Sequence, residues 1–240
     1  MFVSDVLIVK TGTTVPGVLR RRQDFEHWIA AGMGLPDSRV RVCRVFEGEA
    51  LPEPRAVEAV VVTGSAAMVT SREPWSERTA EWLGTAVAAQ TPVLGICYGH
   101  QLLAHALGGR VEDNPRGRHI GTVDVRLTQA ADGDPLFGGF EQVLHLPVSH
   151  RQSVTELPAG ARALATAERD PNHAFAIGDY AWGVQFHPEF DADIVRGYIA
   201  ERRAMIASEG LDPDELHAAA KDTLHGTLLL RRFAHLVKSY

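Results

Sequence analysis

The sequence contains little cysteine and no long apolar run. Cys43 and Cys97 are the two cysteines among 240 residues, which is too few for a framework of disulfides. No stretch approaches the roughly 18 consecutive apolar residues that a membrane helix needs. The apolar segment near the N-terminus is short and carries Asp5 at its approach, which excludes a secretory signal. We therefore expect a soluble cytoplasmic protein with free thiols and no membrane partner.

An excess of positive charge is also lacking. The formal net charge is −6, whereas binding to nucleic acid needs a concentrated basic surface. The short basic runs at Arg20 to Arg22 and at Arg231 to Arg232 are typical of solvated helix faces. We expect no nucleic-acid partner.

Motifs for cofactors and metals are absent from the sequence. No glycine-rich phosphate loop or dinucleotide motif follows a predicted strand. His100 and His105 are not spaced as metal ligands, and no cysteine or acidic motif accompanies them. We expect neither a metal nor an organic cofactor, and no activation of a substrate by ATP.

The hydrophobic pattern alternates between strands and helices in the first half of the chain. Strands are predicted at 5–10, 39–46, 57–64 and 91–96, and helices at 17–31 and 74–90. The second half is richer in short strands, predicted at 119–128, 142–150, 161–169, 173–178 and 181–187. This order predicts a single α/β domain over 1–240, with a mostly parallel sheet covered on both faces and a helical tail at about 205–240.

Cys97 lies between Gly95 and Gly99, at the junction of a buried strand and a helix. This layout is typical of a nucleophile elbow, in which a sharp turn pushes the nucleophile out of the sheet. Side chains in place of the two glycines would collide in such a turn. A thiol at a helix start also experiences the positive end of the helix dipole, which favours the thiolate. Cys97 is therefore a candidate nucleophile.

A cysteine nucleophile needs a base, and the base needs a group that orients it. His187 ends a predicted strand, and Glu189 follows two residues later with Pro188 between them. The ends of parallel strands can bring residues about 90 apart in sequence together. His187 alone would more often cap a strand, but together with the elbow it is a candidate base.

Two segments carry a family resemblance. "GICYGHQLLAHALGG" and "GVQFHPE" together strongly resemble the class I, or triad, glutamine amidotransferases. Within that family, the two segments are most similar to the amidotransferase domain of GMP synthase. The resemblance implies a three-layer, flavodoxin-like fold with a mostly parallel central sheet and extra antiparallel strands in its second half. It implies that Cys97 attacks the side-chain amide of glutamine, that His187 shuttles protons and that Glu189 orients His187.

The resemblance also implies the residues around the nucleophile. The oxyanion would be stabilised by the backbone N–H groups of Tyr98 and Ser65, and Gly64 would lie in the loop that carries Ser65. The substrate would be contacted by Gln101 and by the segment "VSHRQSV", where the candidates are Ser149, His150 and Arg151. Arg151 stands where the family often has glycine, so it would pair with a carboxylate or reshape the pocket.

Three functions remain open at this point. The first is a stand-alone glutamine amidotransferase whose ammonia acceptor, a synthetase subunit, lies on a separate protein. The second is a hydrolase that uses the same triad on γ-glutamyl peptides or amines. The third is a non-catalytic regulatory subunit that keeps the fold. The intact triad favours the first two over the third.

Overall fold

The structure is a computed structural model, which describes residues 6–237. Its first four strands are β1 (Val6–Lys10), β2 (Val40–Arg44), β3 (Ala59–Val62) and β4 (Val93–Ile96). Seven further strands follow: β5 (Arg110–Asp113), β6 (His119–Leu127), β7 (Val143–His150), β8 (Gln152–Glu156), β9 (Arg162–Ala167), β10 (Asp170–Ile177) and β11 (Ala181–Val184).

The helices of the described chain lie on either side of these strands and in its last part. They are α1 (Pro16–Arg22), α2 (Phe25–Met33), α3 (Pro74–Ala88), α4 (Tyr98–Ala106), α5 (Ala192–Glu201), α6 (Arg203–Ser208), α7 (Pro213–Ala219) and α8 (His225–Val237). None of the helices within residues 6–237 is both long enough and apolar enough to span a bilayer.

Nine strands form one sheet in the order β2-β1-β3-β4-β11-β10-β9-β6-β7. The first five are mutually parallel, and the last four continue the sheet in antiparallel fashion. Strands β5 and β8 form a separate antiparallel pair. The predicted α/β architecture, with a mostly parallel centre and extra antiparallel strands in the second half, is confirmed.

Alternate residues of the central strands point into two apolar layers. In β1, Val6 and Ile8 belong to a core that includes Phe25 and Ile29 of α2. Leu7 and Val9 face the opposite core, formed with helices α3 and α4. Because both faces of the strands are covered, they read as continuous apolar runs rather than as alternating ones.

Two elements differ from the predicted pattern. The single helix predicted at 17–31 is two helices, because Gln23 has a positive φ of 66° and the Asp24 carboxylate caps the second helix by accepting from the Phe25 N–H. Strands β5 and β8 were not predicted, since their mostly polar residues lack an apolar alternation. The predicted first strand begins at Asp5 and the predicted tail extends to 240; Asp5 and residues 238–240 lie outside the described residues.

Candidate active site

Three adjacent parallel strands end at the same edge of the sheet and carry the candidate residues there. Strand β4 lies between β3 and β11. Cys97 follows β4, the loop containing Gly64 and Ser65 follows β3, and His187 follows β11. The carboxyl ends of parallel strands are where α/β folds place their ligands. The topology therefore brings the predicted nucleophile, oxyanion loop and base together.

Cys97 occupies a strained turn at the start of α4. Its φ of 53° and ψ of −98° are outside the regions that non-glycine residues favour. The Cys97 N–H donates to the Val184 carbonyl at 2.8 Å, and the Cys97 carbonyl accepts from the Gln101 N–H at 3.1 Å. The turn is thus held by β11 on one side and by α4 on the other, as a nucleophile elbow requires.

The glycines on either side of Cys97 allow a close backbone approach. A Cβ at Gly95 would lie 2.4 Å from the Gly99 carbonyl oxygen, and a Cβ at Gly99 would lie 2.5 Å from the Val62 carbonyl oxygen. Both distances are far below van der Waals contact. The absent side chains let α4 begin directly against β3 and β4, which explains the glycine spacing seen in the sequence.

His187 and Glu189 form a buried pair beside the thiol. The two atoms His187 Nδ1 and Glu189 Oε1 are 2.8 Å apart, and both side chains are almost fully buried. Burial lowers the pKa of His187, but the charges of Glu189 and Cys97 and its hydrogen bonds to both side chains outweigh this and raise the pKa to about 10. The imidazole therefore bridges the thiol and the carboxylate.

Aromatic rings hold the imidazole in its plane. The Phe190 ring stacks on His187 with centroids 4.0 Å apart and planes inclined by 14°. Phe25 of α2 lies parallel to Phe190 at 6.2 Å. Phe190 was not singled out from the sequence, although its position directly after the "HPE" segment is a usable signal.

The loop after β3 lies against the other side of the site. The Ser65 hydroxyl donates to the Thr11 carbonyl at 2.8 Å and accepts from the Ala67 N–H at 3.1 Å. A Cβ at Gly64 would lie 2.9 Å from His187 Cε1, so glycine is needed for the imidazole to fit. Tyr98 is the first residue of α4, where backbone N–H groups have no partner within the helix.

Two pockets meet at the thiol. They share five lining residues: Ser65, Ala66, Cys97, Ser149 and Arg202. One pocket extends towards Gln101 and His150. The other, of about 270 Å³, extends past His187 towards Thr14 and Phe25. The Cys97 thiol therefore has open space on two sides.

The predicted substrate-binding residues surround the first pocket in different ways. Gln101 Nε2 donates to the Gln152 carbonyl at 2.8 Å and to Gln185 Oε1 at 2.9 Å, so its amide fixes the pocket wall. The Ser149 hydroxyl lies at the junction of the pockets and accepts from Arg202. His150 Nδ1 lies 2.9 Å from the Gln152 carbonyl. Arg151 is half exposed and pairs with Asp113 at 3.1 Å, which is the carboxylate pairing expected of a long cation there.

A protein-family model matches most of the chain. The model of glutamine amidotransferase class I matches residues 25–203. The chain belongs to this family. The resemblance recognised in the two sequence segments is thereby confirmed.

The chain is similar to GMP synthases and to glutamine amidotransferase-like proteins. A GMP synthase [glutamine-hydrolyzing] of Porphyromonas gingivalis is 36% identical over 149 residues, which are 61% of this chain and 28% of that protein. The chain thus spans about a quarter of the length of that relative. A glutamine amidotransferase-like protein of Salmonella typhimurium is 35% identical over 171 residues, covering 68% of this chain and 70% of that protein.

Solved amidotransferase structures share the fold. A glutamine amidotransferase of Thermotoga maritima has a TM-score of 0.76 at 23% identity and covers 99% of this chain and 100% of its own. One from Methylobacillus flagellatus has a TM-score of 0.73 at 25% identity and covers 98% of this chain and 93% of its own.

Arg202 is a site residue that the sequence analysis missed. It follows α5, and its guanidinium donates to the Ser149 hydroxyl at 2.6 Å and lies 4.8 Å from the centre of the Tyr198 ring. Burial lowers its pKa below the usual range. Within residues 6–237 no carboxylate lies at ion-pair distance from it. The amidotransferase site thus contains a partly buried cation without a carboxylate partner among the described residues, and no motif near position 202 signals it.

Three buried side chains near the pocket wall have the composition of a metal site. Potential ligand atoms of His150, Asp170 and His173 lie within 4.8 Å of one another. His150 was predicted to bind substrate, but its ring is directed into this group. Asp170 and His173 are three residues apart, but His150 lies 20 residues before Asp170, so no short motif contains all three.

Proposed function

We propose that the chain is a glutamine amidotransferase that hydrolyses the side-chain amide of glutamine to glutamate and ammonia through a thioester on Cys97. The observation that carries the proposal is the Cys97–His187–Glu189 constellation, with the thiol on a strained turn and the imidazole hydrogen-bonded to both partners. A nucleophile, a base and an orienting carboxylate in this arrangement are the parts that acyl transfer needs.

In the proposed first step the thiolate of Cys97 attacks the amide carbon, while His187 holds the proton. The raised pKa of His187 favours its imidazolium form at neutral pH. The developing oxyanion would accept hydrogen bonds from the N–H groups of Tyr98 and Ser65, two residues of different segments that line the same pocket as Cys97.

In the second step His187 gives its proton to the departing nitrogen, and ammonia leaves as the thioester forms. His187 then takes a proton from water, and the resulting hydroxide attacks the thioester carbonyl. Glutamate is released and the proton returns to the Cys97 and His187 pair. Glu189 and Phe190 keep the ring oriented through both steps.

Arg202 supplies the proposed recognition of the substrate. A partly buried guanidinium without a carboxylate partner is stabilised when a ligand brings a negative charge to it. Glutamine carries one, its α-carboxylate, and arginine binds carboxylates in a bidentate way. Gly64, Gln101, Ser149, His150 and Arg151 would shape the surrounding wall.

The first test measures glutamate release from glutamine by the purified chain, its Cys97→Ala variant and a matched Cys43→Ala variant. Cys43 is also buried, but its thiol contacts the carbonyls of Glu49 and Ala50 in another part of the fold. We expect Cys97→Ala to lose at least about 1,000-fold in turnover and Cys43→Ala to keep it. Hydroxylamine should divert the thioester to γ-glutamyl hydroxamate. No release that depends on Cys97 would favour the regulatory alternative.

A second candidate function is hydrolysis of γ-glutamyl peptides or amines by the same triad. The pocket of about 270 Å³ beside His187 favours it, because a substituent on the departing nitrogen would need space there. A panel of γ-glutamyl dipeptides and amines, compared with glutamine, distinguishes the two functions. Turnover far above that of glutamine would establish the second.

We also propose a partner protein and a cellular location for the chain. Relatives named GMP synthase [glutamine-hydrolyzing] support a synthetase as the consumer of ammonia, on a separate protein or subunit. We propose that the chain works in the cytoplasm, where its two thiols remain reduced. A partner is tested by the rise in glutamine hydrolysis when the candidate synthetase and its substrates are added.

A further inference from the structure

Four buried polar side chains lie together behind the wall of the first pocket, and we call them the histidine cluster. They are His119, His150, Asp170 and His173. Strands β6 and β7 pair His119 directly with His150, and β10 contributes the other two. All four residues are at most 7% exposed, although such side chains are seldom fully buried without partners.

Three members of the cluster bring potential ligand atoms together. One nitrogen of His150, one nitrogen of His173 and one oxygen of Asp170 lie within 4.8 Å of one another. Ligands bound tetrahedrally to zinc at about 2.0–2.1 Å are about 3.3 Å apart, so a contraction of about 1.5 Å closes these three atoms on an ion. The His119 ring borders them, with its centroid 5.5 Å from that of His150 and 6.0 Å from that of His173.

Hydrogen bonds leave one free atom on each of two members. His150 Nδ1 faces the Gln152 carbonyl at 2.9 Å, so it carries the proton and leaves a lone pair on Nε2. Asp170 Oδ1 accepts from the Asn172 N–H at 3.0 Å, which leaves Oδ2 free. A metal-bound histidine commonly donates its other ring N–H to a backbone carbonyl in this way.

The free atoms within the described residues lack hydrogen-bond partners. They include His119 Nδ1, His150 Nε2, His173 Nε2 and Asp170 Oδ2. The contact of Asp170 Oδ2 with His173 Nδ1, at 3.5 Å, is long for a hydrogen bond. Buried polar atoms without partners are costly, and a group of them close together indicates a missing ligand.

The chemical types of the side chains suit a cation. Imidazole nitrogens and a carboxylate oxygen are a preferred ligand set for zinc. The cluster supplies both types from buried positions.

We propose that the histidine cluster is a closed structural zinc site. His150, Asp170 and His173 would be the three ligands already close together, and a shift of the adjacent His119 ring would complete the tetrahedron. All four side chains are buried, so the ion would be closed off and would take no part in catalysis. His150 lies between Ser149 and Arg151, and its neighbour Gln152 accepts the hydrogen bond from Gln101. The ion would therefore fix the end of β7 and, with it, the wall of the substrate pocket.

The test is the metal content of the full chain, produced without a histidine tag and dialysed against a chelator. Measurements in the Cys97→Ala background exclude zinc held by the catalytic thiol. We expect about one zinc ion per chain, and a loss of at least about tenfold in His173→Gln and in Asp170→Asn. His145→Gln is the matched control, because His145 is exposed and pairs with Asp124; it should keep the ion.

A second measurement keeps the proposal testable if the cluster variants do not fold. The Cys97→Ala chain, refolded with Co²⁺ alone, should show the intense visible absorption of four-coordinate cobalt. Addition of Zn²⁺ to the refolded metal-free chain should raise its melting temperature. Equal zinc in His173→Gln and its parent would place the ion elsewhere and overturn the proposal. So would a folded chain without zinc whose melting temperature Zn²⁺ does not raise.

Discussion

Replacement of Gly99 by alanine tests whether the elbow depends on a missing side chain. Helix propensity alone predicts a gain, because alanine is more favourable than glycine in a helix by up to about 1 kcal/mol. The structure predicts the opposite. The new Cβ would lie 2.5 Å from the Val62 carbonyl oxygen and 2.8 Å from Val62 Cβ, and Val62 is fully buried in β3.

The collision cannot be relieved by a side-chain rotation, since the nearest atom belongs to the backbone of a central strand. Overpacking of this kind costs about 1–3 kcal/mol. We expect Gly99→Ala to lower the free energy of unfolding by about 1–2 kcal/mol and the melting temperature by roughly 2–8 °C. Because α4 must move, Tyr98 moves with it, and glutamate release should fall by about tenfold or more.

The matched control is Gly84→Ala in α3. A Cβ there would meet its nearest atom, the Ala106 carbonyl oxygen, at 3.7 Å, which is ordinary contact. We expect this variant to gain up to about 1 kcal/mol. Urea unfolding and the glutaminase assay on both variants measure the two effects. If Gly99→Ala were as stable as Gly84→Ala and fully active, the close packing of α4 on β3 would not determine the elbow.

Three further predictions concern charge and backbone strain. The pKa of His187 is raised from 6.5 to about 10, so the protonated ring stabilises the fold fully below pH 6.5 and loses this effect as the pH rises towards 10. The free energy of unfolding of the Glu189→Gln variant should therefore approach that of the parent at alkaline pH. A difference that stays constant with pH would contradict the coupling between the two side chains. Lys10 is buried and bridges two carboxylates at 2.7 and 2.8 Å, so Lys10→Met should cost about 3–5 kcal/mol in urea unfolding, and a stable variant would show that the carboxylates do not need the cation. Gln23 has a φ of 66° and a ψ of −150°, which only glycine adopts readily, so Gln23→Gly should stabilise by about 1 kcal/mol; a lower melting temperature would refute strain at this position.

The parallel half of the fold was predictable because each strand there is a continuous apolar run. Cys97 was also predictable, because the backbone around positions 95 and 99 leaves no room for a side chain and the sequence has glycine at both. His187 and Glu189 follow a buried strand and were found as a consequence. The structure brings these residues together, and their catalytic roles stay predictions until turnover is measured.

The parts that were not predicted depend on contacts between distant segments. Gln23 gives no local signal of its positive φ, so the break between α1 and α2 is invisible in the apolar pattern. Arg202 lies outside the two segments that carry the family resemblance, and only the packing of the region around α5 brings it to Ser149. The histidine cluster joins residues of three strands, and the sequence analysis expected no metal because no short motif contains them.

The order of strands separates two tasks. The proposed reacting groups and the oxyanion loop follow three parallel neighbours, β3, β4 and β11, while part of the pocket wall comes from the antiparallel β7 and from Arg202, between α5 and α6. Substitutions in the second region can change which molecule is accepted without moving the thiol or its base. A designer who wants to change the substrate would therefore vary the residues of β7 and the region around Arg202, and would keep the residues at the ends of β3, β4 and β11.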